Sequence, residues 1–216
     1  MRRYVPVLLL TAFVTWSCNQ GDQKKTPETP GADTSNTIKP DSNGHTAADS
    51  IHLFELSEHI LTLLKSRQYD SLSSFIHPQM GIRFSPTAYV DTVDQPLLSV
   101  TAFRQAIREP RAGTWGVYNA ETDEPRQLTL PEYLGRYAYD KDYLQAPQKA
   151  CNRFLGGGNS LNNLKTIYPQ ADFTEYYFPG FEPKYEGLDW KTLRLVFRMR
   201  DGKTWLIAVI RDEWTI

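Results

Sequence analysis

An α+β fold is predicted by three observations. Leu53, Leu56, Ile60, Leu63 and Leu64 recur at helical spacing near the start of the folded region and make one apolar stripe. Phe173–Phe178 is a run of aromatic and β-branched residues that suits a strand. Two long alternating runs then meet at Asp201-Gly202, and an Asp-Gly pair in that position is a strong hairpin signal, because a type I′ turn needs positive φ at both central residues. Helices first and antiparallel strands last imply helices against one face of a sheet.

The final hairpin makes a checkable statement about faces. With Asp201 and Gly202 as turn residues, Met199 is expected opposite Thr204, Phe197 opposite Leu206, Leu195 opposite Ala208 and Leu193 opposite Ile210. That row is apolar and ends in a charged pair, Lys191 opposite Asp212, at a rim or at the mouth of a cleft. The other row is mixed. Its Val196, Trp205, Ile207 and Val209, set between arginines, form a candidate face for a homodimer unless residues 110–170 cover it.

The N-terminus reads as an address. Arg2 and Arg3 precede an apolar run from Tyr4 to Trp16, about 13 residues, which is too short to span a bilayer and suits a signal peptide over residues 1–17. Thr15-Trp-Ser-Cys18 resembles a bacterial lipobox, so Cys18 is the expected lipidation site and the membrane, through that lipid, the expected partner. The localisation that follows is exported and lipid-anchored to the bacterial cell envelope, on the periplasmic or outer-membrane side. The alternative is plain cleavage with Cys18 incidental. The chain has two cysteines; with lipid on Cys18, no second cysteine is left to pair with Cys151 and no disulfide is expected. Residues 18–49 are almost free of apolar side chains and read as a linker with a span of about 30 Å. The folded domain is expected over 50–216. A net charge of −1 gives no basic excess, so nucleic acid is not an expected partner.

Along the domain, Asp49 or Ser50 is expected to cap a helix over Ile51–Ser66. A short helix, Asp70–Ile76, ends at His77-Pro78. Met80–Ser85 reads as a strand, Thr101–Arg108 as a helix, Thr114–Tyr118 as a strand and Thr129–Tyr137 as a helix with proline in its first turn. Phe154–Ser160 is a glycine-rich loop, and Asn159 or Ser160 is placed to cap a short helix ending at Tyr168.

The amphipathic first helix, the Arg67-Gln-Tyr-Asp-Ser-Leu72 step into a second helix and the long final hairpin together resemble the nuclear-transport-factor-2-like cone, shared with ketosteroid isomerase and polyketide-cyclase-type proteins. His77-Pro-Gln-Met-Gly-Ile-Arg-Phe-Ser-Pro86, Leu188–Phe197 and Arg211–Ile216 are similar to a group of bacterial exported proteins without known chemistry. The resemblance covers about residues 51–216. It implies a curved antiparallel sheet with helices packed on its concave face, around a pocket open at one end.

In such a cone Arg83 is the first residue to watch, since a guanidinium on an edge strand binds a carboxylate bidentately; its bland role is a structural pair with Glu175 or Asp212. By analogy with the isomerase, Asp212 or Glu175 would be the pocket carboxylate and Tyr118 or Tyr177 a donor. His52, Glu55 and His59 share one side of the first helix and resemble a metal set, but an exposed face explains them better, so no metal is expected. Gly156-Gly-Gly158 lacks the lysine of a P-loop and reads as a loop. No cofactor is expected. The expected role is non-enzymatic binding of a small molecule, an envelope component or a protein partner. The alternative is a cone enzyme of isomerase, cyclase or hydrolase type using a pocket carboxylate.

Overall fold

The computed structural model describes residues 46–214, without the side chain of Ala47. The expected signal peptide, Cys18 and nearly all of the linker lie outside the described residues. The first helix, α1, spans Ala47–Lys65. It starts earlier than expected because Thr46 is the cap: Thr46 Oγ1 accepts from Asp49 N–H, while the Asp49 carboxylate accepts from Thr46 N–H at 2.9 Å. This capping box satisfies two backbone donors reciprocally. The second helix, α2, spans Tyr69–Leu72 and tightens into a 3-10 turn over Ser73–Phe75. His77 then turns the chain: its Nδ1 accepts from the N–H groups of Gln79 and Met80.

The first two strands are β1 (Ile82–Ser85) and β2 (Leu97–Leu98), followed by α3 (Val100–Arg108), which Ser99 caps. The expected strand at Thr114–Tyr118 is instead an irregular segment with two isolated bridges, Gly113 to Leu128 and Tyr118 to Pro125. Trp115 is buried and donates through Nε1 to the Leu128 carbonyl, which pins this segment without a ladder. A short helix, α4 (Leu130–Tyr133), carries a Thr129–Glu132 capping box and runs into a π-helical turn over Leu134–Ala138. The remaining strands and α-helix are β3 (Gln148–Cys151), α5 (Leu164–Ile167), β4 (Asp172–Phe178), β5 (Lys191–Arg200) and β6 (Lys203–Glu213), with 3-10 turns at Tyr143–Gln145 and Pro183–Tyr185. α5 has no side-chain cap; Asn163, at its start, instead clasps the backbone of Val90 from both its amide atoms.

The six strands form one sheet in the order β2-β1-β6-β5-β4-β3. It is mixed, not antiparallel throughout as expected, because β1 runs parallel to β6. A parallel pair needs a long connection, and everything between Pro86 and Gly202 supplies it. The pairing begins early, where His77 N–H donates to the Leu206 carbonyl.

One sheet face packs on the helices. Leu53, Ile60 and Leu64 of α1, Phe103 of α3 and Tyr133 of α4 share a core with Phe84, Tyr176, Leu193, Leu195, Phe197, Leu206 and Val209. The opposite face carries a smaller core, in which Phe173, Val196, Ala208 and Ile210 meet Val90, Leu164 and Phe154. The segment 154–171 therefore covers most of the row expected to meet a second copy of the chain. Val196, Ile207 and Val209 are buried within the chain, and Val209 belongs to the helical face; Trp205 is half-buried. These four residues do not form one exposed patch.

The hairpin register explains the change of face. Met199 pairs with Thr204 and Phe197 with Leu206 as expected, but the ladder then shifts, and Val196 pairs with Ala208. Ile207 is the extra residue of a β-bulge. Beyond it Leu195 pairs with Val209, not Ala208; Leu193 pairs with Arg211, not Ile210; and Lys191 pairs with Glu213, not Asp212. A one-residue slip in a period-two structure exchanges the two faces of β6.

Candidate functional site

The bulge places two charged clusters back to back at one end of the sheet. On the face covered by segment 154–171, Arg194 of β5 lies beside Glu175 of β4, and Asp212 of β6 comes in from the other side. Arg194 Nε donates to Glu175 Oε2 at 3.1 Å and Nη2 to Glu175 Oε1 at 3.3 Å. Nη1 and Nη2 both donate to Asp212 Oδ2 at 3.2 Å. Nη2 also reaches the Gly156 carbonyl, and the Phe154 ring lies 5.1 Å from the guanidinium carbon.

Glu175 has further donors, Gly156 N–H and the Thr192 hydroxyl, each at 2.9 Å. The glycine-rich loop thus cradles an anion, but the anion is the chain's own carboxylate. Gly156 is fitted to this: a Cβ there would lie 2.9 Å from the Tyr177 ring. Arg194 and Glu175 have no exposure and Asp212 only 3%. Burial pushes the Asp212 carboxyl up, and Arg194 opposes that shift without cancelling it.

On the helical face, Lys191 and Arg211 meet Asp140 and Glu213. Lys191 Nζ donates to Asp140 at 2.6 Å and also to Glu213; Arg211 Nη2 donates to Asp140 at 2.9 Å and to Glu213. Tyr143 adds a hydroxyl donor to Asp140. Burial alone would raise the Asp140 carboxyl, but Arg211 and Lys191 outweigh it and hold it below its ordinary value. Glu213 is held low in the same way, burial being outweighed by Lys191 and Arg211. Arg211 Nε and the Tyr133 hydroxyl are buried without a hydrogen-bond partner among the described residues.

Two clefts flank this second cluster. One, of about 280 Å³, is lined by Pro86 and Thr87 after β1, by Gly116–Tyr118, by Tyr137 and by Arg211–Glu213. The other, of about 330 Å³, lies between the 181–190 loop and the end of β6, and Glu213 lines both. The first volume falls just below, and the second just above, the lower bound of about 300 Å³ for small-molecule sites.

The expected site residues divide accordingly. Asp212 and Tyr118 line the first cleft together. The Tyr118 hydroxyl donates to Asp94, which pushes the phenol up. Glu175 is sealed beneath the glycine loop. Tyr177 is half-buried, its ring over Gly156 and 6.1 Å from that of Trp190, and burial raises its phenol, with Glu175 adding to the shift. Arg83 is half-buried on β1 and donates to the Gln95 carbonyl at 3.0 Å. The guanidinium that grips Glu175 and Asp212 is that of Arg194, one of the arginines of the mixed row. The signal available was its position opposite a buried glutamate, and that depends on the pairing of β4 with β5. His52, Glu55 and His59 are exposed along α1. No helix among the described residues is long and apolar enough to cross a membrane. Compared with protein-family models and with curated proteins, the chain matches none.

Proposed function

We propose that this chain is an exported protein, held to the bacterial envelope by lipid on Cys18, that binds a small molecule or envelope component at the charged end of its sheet and catalyses no reaction there. We further propose that the domain is a nuclear-transport-factor-2-like cone; α1 against the sheet, the long final hairpin and the bulge at Ile207, which adds local twist, support that reading.

The observation that carries the binding role is the occupation of the carboxylates. A general base must reach a substrate proton with a free oxygen. Glu175 has no exposure, and both Glu175 and Asp212 are held by one guanidinium. Pro86, Val117, Tyr118 and Tyr137 give the first cleft its apolar surface, and its charged groups are already paired, Arg211 with Glu213 and Asp212 with Arg194.

The test is native mass spectrometry of the full chain purified from its own host. A stoichiometric non-protein ligand is expected. Its absence, together with no shift in melting temperature on adding fractionated envelope extract, would refute the binding role. Palmitate labelling that persists in Cys18→Ala would refute the anchor.

A second reading, a cone enzyme, draws on one observation: Asp212 lines the first cleft with its carboxyl raised by burial. An activity found in the same extract and abolished by Asp212→Asn, with the fold intact, would favour it.

A further inference from the structure

The second cleft has a chemistry of its own. Trp190 forms its floor and is nearly buried, while Phe181 and Trp214 stand at its edges, each 39% exposed. Gly156 and Gly158 are fitted to this floor: a Cβ at Gly158 would lie 3.0 Å from the Trp190 indole and 3.5 Å from that of Trp214, so the loop can approach only without side chains. Three aromatic surfaces thus meet in one concavity of about 330 Å³.

Polar groups ring them. Asp189 holds the loop with one oxygen, Oδ2 accepting from the N–H groups of Phe181 and Glu182 at 3.0 and 2.8 Å. Its other oxygen, Oδ1, is enclosed beside Gly180 with no donor among the described residues. Lys191 and Glu213 close the opposite wall. Glu213 is a third exposed and is bonded through Oε2, and a hydrogen bond from a ligand hydroxyl to a carboxylate is stronger than one between neutral groups.

Charge narrows the class of ligand. The lining holds three carboxylates, Glu182, Asp189 and Glu213, against two lysines, and Lys191 is already committed to Asp140 and Glu213. The other, Lys141, lies over the Phe181 ring, 4.5 Å from its centroid. Among the described residues the lining carries more carboxylates than lysines, which disfavours an anionic ligand. A ligand with an apolar face to stack on indole and hydroxyls around its edge matches all of these features. The faces of aromatic rings carry partial negative charge and attract the polarised C–H groups of a sugar ring.

We propose that the cleft between Phe181, Trp190 and Trp214 is a binding site for an uncharged saccharide, stacked on the exposed Trp214 indole. Glu213, whose side chain is a third exposed, accepts a hydroxyl, and Asp189 fixes the loop that carries Phe181. The proposal rests on the binding role stated above and names its ligand class and its cleft.

The test is titration of the full chain with soluble neutral oligosaccharides of glucose, galactose, mannose and N-acetylglucosamine, read by tryptophan fluorescence and by calorimetry. At least one series is expected to bind and shift the emission. Trp214→Ala and Asp189→Asn are expected to weaken it tenfold or more. Phe181→Ala, at an exposed position, checks the same cleft should either of those variants fold poorly. Binding of none of the four series, or binding unchanged in all correctly folded variants, overturns the proposal. A co-purified ligand that is not a saccharide, and that Trp214→Ala retains, overturns the saccharide site while the binding role stands.

Discussion

Replacing Arg194 by methionine removes the only cation that touches Glu175 and Asp212 among the described residues and leaves a shorter, uncharged side chain in the same slot. The wild-type guanidinium makes four contacts to the two carboxylates, at 3.1, 3.3, 3.2 and 3.2 Å, in a place with almost no solvent. Breaking a buried ion pair on one side costs about 3–5 kcal/mol, because the other charge is left without compensation. Gly156 also loses the donor to its carbonyl, so the glycine loop loosens with the triad.

Urea unfolding at neutral pH is the assay. With a slope of about 2 kcal/mol per molar urea, the midpoint is expected to fall by about 2 M. The pH dependence identifies the cause. The Asp212 carboxyl is already raised in the folded state, and losing Arg194 raises it further. A group with a raised folded value contributes stability below its unfolded value, near pH 4, and loses that contribution as pH rises through the folded value. The deficit of Arg194→Met is therefore expected to shrink on acidification. It is also expected to shrink, by about half or more, in the neutralised combination with Glu175→Gln and Asp212→Asn. A loss under about 1 kcal/mol, or an equal loss in the neutralised combination, would refute the claim that the triad is a dry, mutually dependent unit.

The second cluster has the opposite pH sign: Asp140 is held low, so its contribution is present above its unfolded value and lost as pH falls, and Asp140→Asn is expected to cost about 3 kcal/mol at pH 7 and to flatten the acid limb in a denaturation series. Deleting Ile207 removes the extra residue and leaves the other pairs in place, Phe197 with Leu206, Val196 with Ala208 and Leu193 with Arg211, so Asp212 and Arg211 are expected to keep their faces; a cooperative melt is expected, and loss of the cooperative transition would count against Ile207 as the inserted residue. Gly156→Ala presses a methyl against the Tyr177 and Trp190 rings and is expected to cost about 1–3 kcal/mol, whereas Gly157→Ala meets nothing and is expected to be neutral or to stabilise by up to about 1 kcal/mol, both read from chemical denaturation. Thr129→Ala removes one half of a capping box and is expected to cost about 1 kcal/mol in the same assay.

Much of the architecture was legible in the residues themselves. The stripe of α1, the strand at Phe173–Phe178 and the turn at Asp201-Gly202 are local patterns, and local patterns suffice for elements whose apolar face or turn chemistry is written within a few residues. Even the first pairs of the hairpin, Met199 with Thr204 and Phe197 with Leu206, follow from the turn alone. The short edge strands β2 and β3 were not legible, since two to four residues at a sheet edge owe their conformation to the neighbour they pair with.

The charged end of the sheet belongs to tertiary structure. Arg194, Glu175 and Asp212 come from three strands, and no spacing along the chain says that they meet. The inserted residue at Ile207 decides which face Asp212 and Arg211 occupy, and nothing in an alternating apolar run marks one isoleucine as extra. Burial then decides what these side chains are. With four surrounding donors and no exposed surface, Glu175 is an internal counter-ion instead of the pocket base its residue type suggested. The sequence determined by itself that a long C-terminal hairpin would build the sheet; packing against segment 154–171 and the shift in register decided which of its charges are sealed inside and which border a cleft.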